Sequence, residues 1–113
     1  MSRRDPKIVL KQILAYSREA VEFAHNRVRE DLDQDRMLNL ALVRLIEIIG
    51  EAANHVPREY QSQYPEIPWI QMIGARNRLI HGYDNIDFDI LWVILNEDLP
   101  DMIENLEKIL GAE

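Results

Sequence analysis

The fold is decided by the stretch that reads Met37-Leu38-Asn39-Leu40-Ala41-Leu42-Val43-Arg44-Leu45-Ile46-Glu47-Ile48-Ile49-Gly50-Glu51-Ala52-Ala53. As a helix it is apolar on nearly every side, which is typical of a helix buried on more than one face. A chain of 113 residues has little room for a fully enclosed helix, so we interpret part of this surface as a subunit interface. The predicted helix covers about Asp35 to His55, and Gly50 would let another backbone approach closely.

Three charged side chains share one face of this helix. Arg44, Glu47 and Glu51 follow one another at spacings of three and four, which places them side by side. The favoured interpretation is ion pairing within the helix. The functional alternative is that Arg44 or Glu51 orients reactive residues elsewhere in the chain.

Helical periodicity continues on both sides of this stretch, which predicts an all-α chain. The first helix is expected to start at Asp5, as an N-cap, and to run to about Arg29. We interpret the acidic residues 30–35 as the charged start of the next helix rather than as a calcium loop, because the glycine that such a loop needs is missing. No repeat or linker divides the sequence, so we expect a single domain over residues 1–113.

Prolines and glycines mark the second half of the chain. Pro68 fits the first turn of a helix that is expected to continue to His81, where Gly82 would end it in a left-handed conformation. The last helix is predicted over residues 88–110, with a kink just before Pro100, which removes a backbone donor. The residues of the Pro68 helix expected to face the core are Trp69, Ile70, Ile73, Leu79 and Ile80.

The composition limits the classes of function. The chain has no cysteine, which excludes disulfide and thiolate chemistry. No apolar run approaches a membrane span, and Met1–Pro6 does not start a leader sequence, so we expect a cytoplasmic protein without a membrane partner. The net charge of −7 argues against a broad basic face for nucleic acid, and we expect no DNA partner. A nucleic-acid substrate would have to be held locally by a few arginines.

One stretch stands out in this acidic chain: Arg76-Asn77-Arg78-Leu79-Ile80-His81-Gly82-Tyr83. It contains two arginines, a histidine and a tyrosine but no carboxylate. On one helix, Arg76 and His81 could both reach a single groove, with Tyr83 beside them and Arg78 in the groove or on its rim. A guanidinium binds phosphate through two donors, and a histidine moves protons near neutral pH. These groups suit phosphoryl transfer.

The chemistry that this cluster predicts is metal-independent RNA cleavage. A ribose 2′-hydroxyl is already next to the phosphorus, so it can act as the nucleophile with a histidine as its base. His25, His55 and His81 are not at metal-ligand spacing, so we expect no metal and no other cofactor. The purely structural alternative is a helical dimer in which the cluster only caps a helix. In that case, changing Arg76 or His81 to alanine would alter stability alone.

The cluster resembles the R-x4-H-x-Y motif of HEPN-domain proteins, specifically of the HepT-like toxins. The similarity extends to Arg44–Ala52, to Pro68-Trp69 before the motif and to the long final helix. The resemblance implies an antiparallel bundle of four to five helices and a homodimer that brings two motifs together. It also implies a ribonuclease toxin encoded beside an MNT-type minimal nucleotidyltransferase antitoxin, which transfers AMP to the motif tyrosine.

Carried over residue by residue, the resemblance implies that Arg76 and His81 are catalytic. Asn77 would shape or polarise the site, Arg78 would support it, and Tyr83 would accept AMP. The leading hypothesis is therefore the RNA-cleaving toxin of a type VII toxin–antitoxin system, acting as a dimer. The alternative is a non-catalytic module that binds a nucleotide or presents Tyr83 to a nucleotidyltransferase. Toxicity on expression, lost in His81→Ala, would separate the two.

Overall fold

The computed structural model of the protein describes residues 5–111, and the expectation about a leader sequence concerns residues that lie largely outside this range. The helices are α1 Pro6–Phe23, α2 Asp31–Gln34, α3 Arg36–Asn54, α4 Arg58–Gln61, α5 Trp69–Leu79, α6 Phe88–Val93 and α7 Leu99–Gly111. A π-helical segment, Ile94–Asp98, joins α6 to α7, and the short strands β1 Ile80–His81 and β2 Asn85–Ile86 form an antiparallel hairpin. The all-α prediction is confirmed. Between residues 5 and 111, no helix is long and apolar enough to cross a membrane.

Helix α3 is the central element of the bundle. It packs against α1 on one side and α5 on the other, while α7 packs against α1. Its buried side consists of Leu38, Asn39, Leu42, Val43, Leu45, Ile46, Ile49, Gly50 and Ala53. The predicted extent of this helix is confirmed, and Asp35 caps it by accepting a hydrogen bond from the Leu38 N–H at 3.0 Å. Its opposite face is open, since Met37 and Leu40 remain 83% and 51% exposed.

Gly50 sets how closely α3 and α5 approach. A Cβ atom at this position would lie 2.7 Å from the carbonyl oxygen of Met72 on α5. Only glycine fits such a contact without moving a backbone. The predicted close approach at Gly50 is therefore confirmed, and the contact fixes the distance between the two helices.

Helix α1 begins as predicted but ends earlier. Asp5 caps it by accepting a hydrogen bond from the Lys7 N–H at 2.9 Å. The helix stops at Phe23 instead of Arg29, because Asn26 adopts a left-handed conformation with φ 62°. Asparagine is one of the few residues other than glycine that tolerate this conformation.

The last helical segment is interrupted where a kink was predicted. Pro100 lacks an N–H, and its ring would clash with the carbonyl of the residue four positions earlier in a regular α-helix. The structure contains the π-helical segment Ile94–Asp98 at this place, so the irregularity is a widened turn. From the middle of the segment, the Asn96 side-chain amide donates to the carbonyl of Trp92 in α6 at 2.8 Å.

Arg29 ties the connection between α1 and α3 to the start of α6. Its guanidinium donates to Asp89 at 2.8 Å and to Asp33 at 2.9 Å, and it lies 5.9 Å from the centre of the Phe88 ring. Desolvation lowers the pKa of Arg29, but the hydrogen bond to Asp89 and the charge of Asp33 outweigh it, so the pKa is raised. These contacts connect the residues before α3 to the first turn of α6, which follows the hairpin.

Candidate functional site

The predicted cluster spans a helix end and a hairpin rather than a single helix. Helix α5 stops at Leu79, and Ile80 is extended with φ −106° and ψ 116°. The carbonyl of Leu79 accepts a hydrogen bond from the Asp87 N–H at 2.8 Å, so the returning strand holds the chain where the helix was expected to continue. The prediction that the helix continues to His81 is therefore wrong. Gly82 is left-handed as predicted, with φ 79°, but it lies in the hairpin turn.

The hairpin presents His81 and Tyr83 to solvent. His81 lies on β1, exposed, opposite Asn85 of β2. Tyr83 lies in the turn and is 95% exposed. Neither side chain makes a hydrogen bond to any residue between 5 and 111. Both side chains are therefore accessible from solvent, just beyond the carboxyl end of α5.

Arg76 lies on the last turns of α5 and contacts α3. Its Nε donates a hydrogen bond to Oε2 of Glu47 at 2.9 Å. The Arg76 side chain is 57% exposed and that of Glu47 only 22%. Because Nε carries this contact, the two terminal nitrogens of the guanidinium remain available for another acceptor.

Glu47 is the site residue that sequence reasoning missed. The favoured interpretation, ion pairing within α3, is wrong for this residue, because Glu47 pairs across to α5. Arg44 and Glu51, which were considered for orienting the cluster, make no contact of this kind with Arg76, and Arg44 has no carboxylate partner in the described part of the chain. The sequence showed only the spacing of Arg44, Glu47 and Glu51 on α3. That spacing does not indicate that Glu47 faces another helix.

The two supporting residues, Asn77 and Arg78, make no hydrogen bond or ion pair with Arg76 within residues 5–111. Arg78 follows Arg76 by two positions, about 200° around a helix, so the two arginines lie on opposite sides of α5. Arg78 lines a groove of about 330 Å³ whose walls include Met72 and Leu99. Asn77 is exposed on the outer face of α5. The structure therefore brings Glu47, and not Arg78, to the side of Arg76.

The other candidate residues have structural roles or none. Trp69 is buried, and its Nε1 donates to the carbonyl of Tyr64 at 3.0 Å, which confirms it as a packing anchor. The prediction that Ile70 faces the core is wrong, since it is 81% exposed. His25 is exposed after α1, and Nδ1 of His55 lies 2.7 Å from the carbonyl of Glu51.

The histidine and acidic side chains in the described part of the chain form no cluster that could bind a metal ion. Within the described range, no group of three or more histidine, aspartate or glutamate side chains could hold a metal ion. What the site offers is a guanidinium with free donors beside α3, and an imidazole on the adjoining hairpin. Such groups can bind a phosphate and transfer a proton.

Comparisons with known proteins agree with this chemistry. The sequence model of one family, described as ribonuclease HepT-like, matches residues 13–109. A Methanocaldococcus jannaschii protein named "Putative RNase MJ1380" is 36% identical over 109 residues, covering 96% of this chain and all of the relative. A Thermococcus cleftensis protein named "Probable ribonuclease HepT" is 35% identical over 107 residues, covering 95% of this chain and 97% of the relative. No solved structure gave a significant match.

Proposed function

The chain belongs to the ribonuclease HepT-like family, and from this premise we propose that it is the RNA-cleaving toxin of a type VII toxin–antitoxin pair. The observation that carries the proposal is the position of Arg76. Its side chain is fixed by one contact through Nε, yet it remains more than half exposed, on the last turns of the helix that leads into the hairpin bearing His81. A guanidinium that is held but open suits the recognition of a phosphodiester.

The proposed reaction needs no metal ion. Arg76 binds the scissile phosphate through its terminal nitrogens. His81 takes the proton of the adjacent ribose 2′-hydroxyl, the 2′-oxygen attacks phosphorus, and the bond from phosphorus to the 5′-oxygen breaks. The leaving 5′-oxygen takes up a proton from water, His81 releases its proton to solvent, and the products are a 2′,3′-cyclic phosphate and a 5′-hydroxyl. Asn77 supports the site from the neighbouring position on α5.

We propose that the active form is a homodimer built on the outer face of α3 and α5. Leu40 lies about two helical turns before Glu47, on the same face of α3. Met37 extends this apolar face, and both side chains are open to solvent. Ile70 adds an exposed apolar side chain on α5. A second copy that covered these residues would bring two Arg76 and His81 sets together, which would concentrate positive charge in an acidic protein.

The proposed antitoxin is an MNT-type nucleotidyltransferase that modifies Tyr83. The Tyr83 hydroxyl would attack the α-phosphorus of ATP, forming the phosphodiester to AMP and releasing pyrophosphate. Its 95% exposure in the hairpin turn supports access by a second enzyme. The added phosphate would stand near Arg76 and His81 and would exclude RNA by charge and bulk.

RNA cleavage in EDTA tests the proposed function. Wild-type protein, verified by intact mass to carry no AMP, is compared with His81→Ala and with His25→Ala as a matched control, since His25 is also exposed but lies after α1. We expect wild type and His25→Ala to leave cyclic phosphate ends. His81→Ala should lose about 100-fold or more in rate, the contribution typical of a general base.

The exposure of Tyr83 also favours a second candidate function. A non-catalytic module that only presents Tyr83 to a nucleotidyltransferase would need the same open hairpin. It predicts that folded, unmodified wild type cleaves no RNA in a broad panel while still accepting AMP.

A further inference from the structure

We propose that Glu47 is a positioning residue for RNA cleavage: its carboxylate fixes the guanidinium of Arg76 so that the terminal nitrogens face the scissile phosphate. This role rests on the proposed function. It concerns a residue on α3, a separate helix from the one that carries the arginine, and it acts only through Arg76.

The contact itself has the geometry that such a role requires. Oε2 of Glu47 accepts from Nε of Arg76 at 2.9 Å, which is a charge-assisted hydrogen bond of ordinary length. Binding at Nε leaves both terminal nitrogens for two parallel hydrogen bonds to phosphate. A carboxylate bound at the terminal nitrogens instead would occupy the donors that the substrate needs.

Glu47 is the fixed member of the pair. The Glu47 side chain is 22% exposed, against 57% for Arg76. The carboxylate is therefore the more buried partner, and the guanidinium is the more exposed one. One turn further along α3, Gly50 holds the backbone of α5 in close contact at Met72. The close packing of α3 against α5 therefore fixes the position of Arg76 relative to Glu47. A long side chain with many rotamers is thereby restricted before the substrate arrives.

The same carboxylate has an electrostatic consequence. Its negative charge offsets that of Arg76 and repels an incoming phosphate. Glu47 therefore favours orientation at the expense of RNA affinity. Glutamine keeps an oxygen that accepts from Nε but removes the charge, whereas alanine removes both. These two substitutions separate orientation from charge.

The test compares Glu47→Ala, Glu47→Gln and the control Glu22→Gln, which removes one carboxylate that has no side-chain partner among residues 5–111. Cleavage of one RNA oligonucleotide gives kcat and KM, and thermal unfolding checks the fold. We expect Glu47→Ala to lose about 10- to 100-fold in kcat, as for a misplaced catalytic group. Glu47→Gln should keep kcat within about threefold and lower KM, because the repulsion is gone. Glu22→Gln should match wild type in kcat.

A readout that does not depend on cleavage is the NMR signal of the Arg76 Nε–H. It should be resolved in wild type and Glu47→Gln, and broadened or shifted toward free arginine in Glu47→Ala. The role of Glu47 is overturned if wild type cleaves and Glu47→Ala cleaves equally well, or if glutamine and alanine lower kcat alike. Failure of wild type to cleave any RNA would instead overturn the proposed function on which this role rests.

Discussion

The surroundings of Tyr83 bear on its proposed modification. Tyr83 lies in the turn between β1 and β2 and has no hydrogen-bond partner in residues 5–111, so nothing in this part of the fold requires its hydroxyl. Arg76 is the opposite case, since its orientation depends on a carboxylate 29 positions earlier in the chain. The proposed AMP acceptor is thus unrestrained by hydrogen bonds in this range, whereas the proposed phosphate-binding residue is held by Glu47.

Replacing Tyr83 by phenylalanine removes the proposed AMP-accepting hydroxyl and leaves the ring. We expect Tyr83→Phe to gain no AMP when it is incubated with the nucleotidyltransferase and ATP, and to remain toxic when both proteins are expressed together. Intact mass and growth after induction measure the two effects. Tyr64→Phe is the control, because Tyr64 is half-buried against the Tyr60 ring, and it should gain AMP as wild type does. Addition of AMP to Tyr83→Phe would assign the acceptor to another residue.

At the level of helices, the close contact between α3 and α5 predicts opposite effects for two glycines. Gly50→Ala places a Cβ 2.7 Å from the Met72 carbonyl, so α5 must move, at a cost of about 1–3 kcal/mol. Gly74→Ala places a Cβ in open space on the same helix pair, so it should be neutral or stabilising by up to about 1 kcal/mol. Urea unfolding at constant slope measures both. Equal destabilisation by the two variants would contradict the packing argument.

The boundaries of these elements also show what the sequence could predict. Helix α3 was predictable because its periodicity and its Asp35 cap are local features. The hairpin was not, because β1 exists only through pairing with β2 and through the bond between Asp87 and Leu79. Once α5 ends at Leu79, His81 leaves the helix. The contact between Glu47 and Arg76 could not be predicted either, because it joins two helices that are distant in the sequence. No local sequence pattern indicates which helix a charged side chain will face.

For the whole molecule, the proposed homodimer is supported by the net charge and by exposed apolar side chains. The chain carries a net charge of −7, and an isolated copy has few cations with which to hold RNA. Leu40 lies on the same face of α3 as Glu47, about two helical turns earlier, and Met37 lies one turn before Leu40. Pairing two copies through this face would cover the apolar side chains and double the local positive charge, so assembly and substrate binding would depend on the same surface.

Leu40→Glu tests this dependence in one variant. Leu40 is 51% exposed, so the substitution should leave the fold intact, but in a dimer it would place two carboxylates in an apolar contact. We expect wild type to sediment as a dimer, and Leu40→Glu to sediment as a monomer that has lost about 100-fold or more in RNA cleavage. Phe23→Glu is the matched control, because Phe23 is 41% exposed at the end of α1, and it should remain dimeric and active. If Leu40→Glu stays dimeric, or if Phe23→Glu becomes monomeric, the interface lies on another face. If Leu40→Glu is monomeric but fully active, one copy suffices for cleavage.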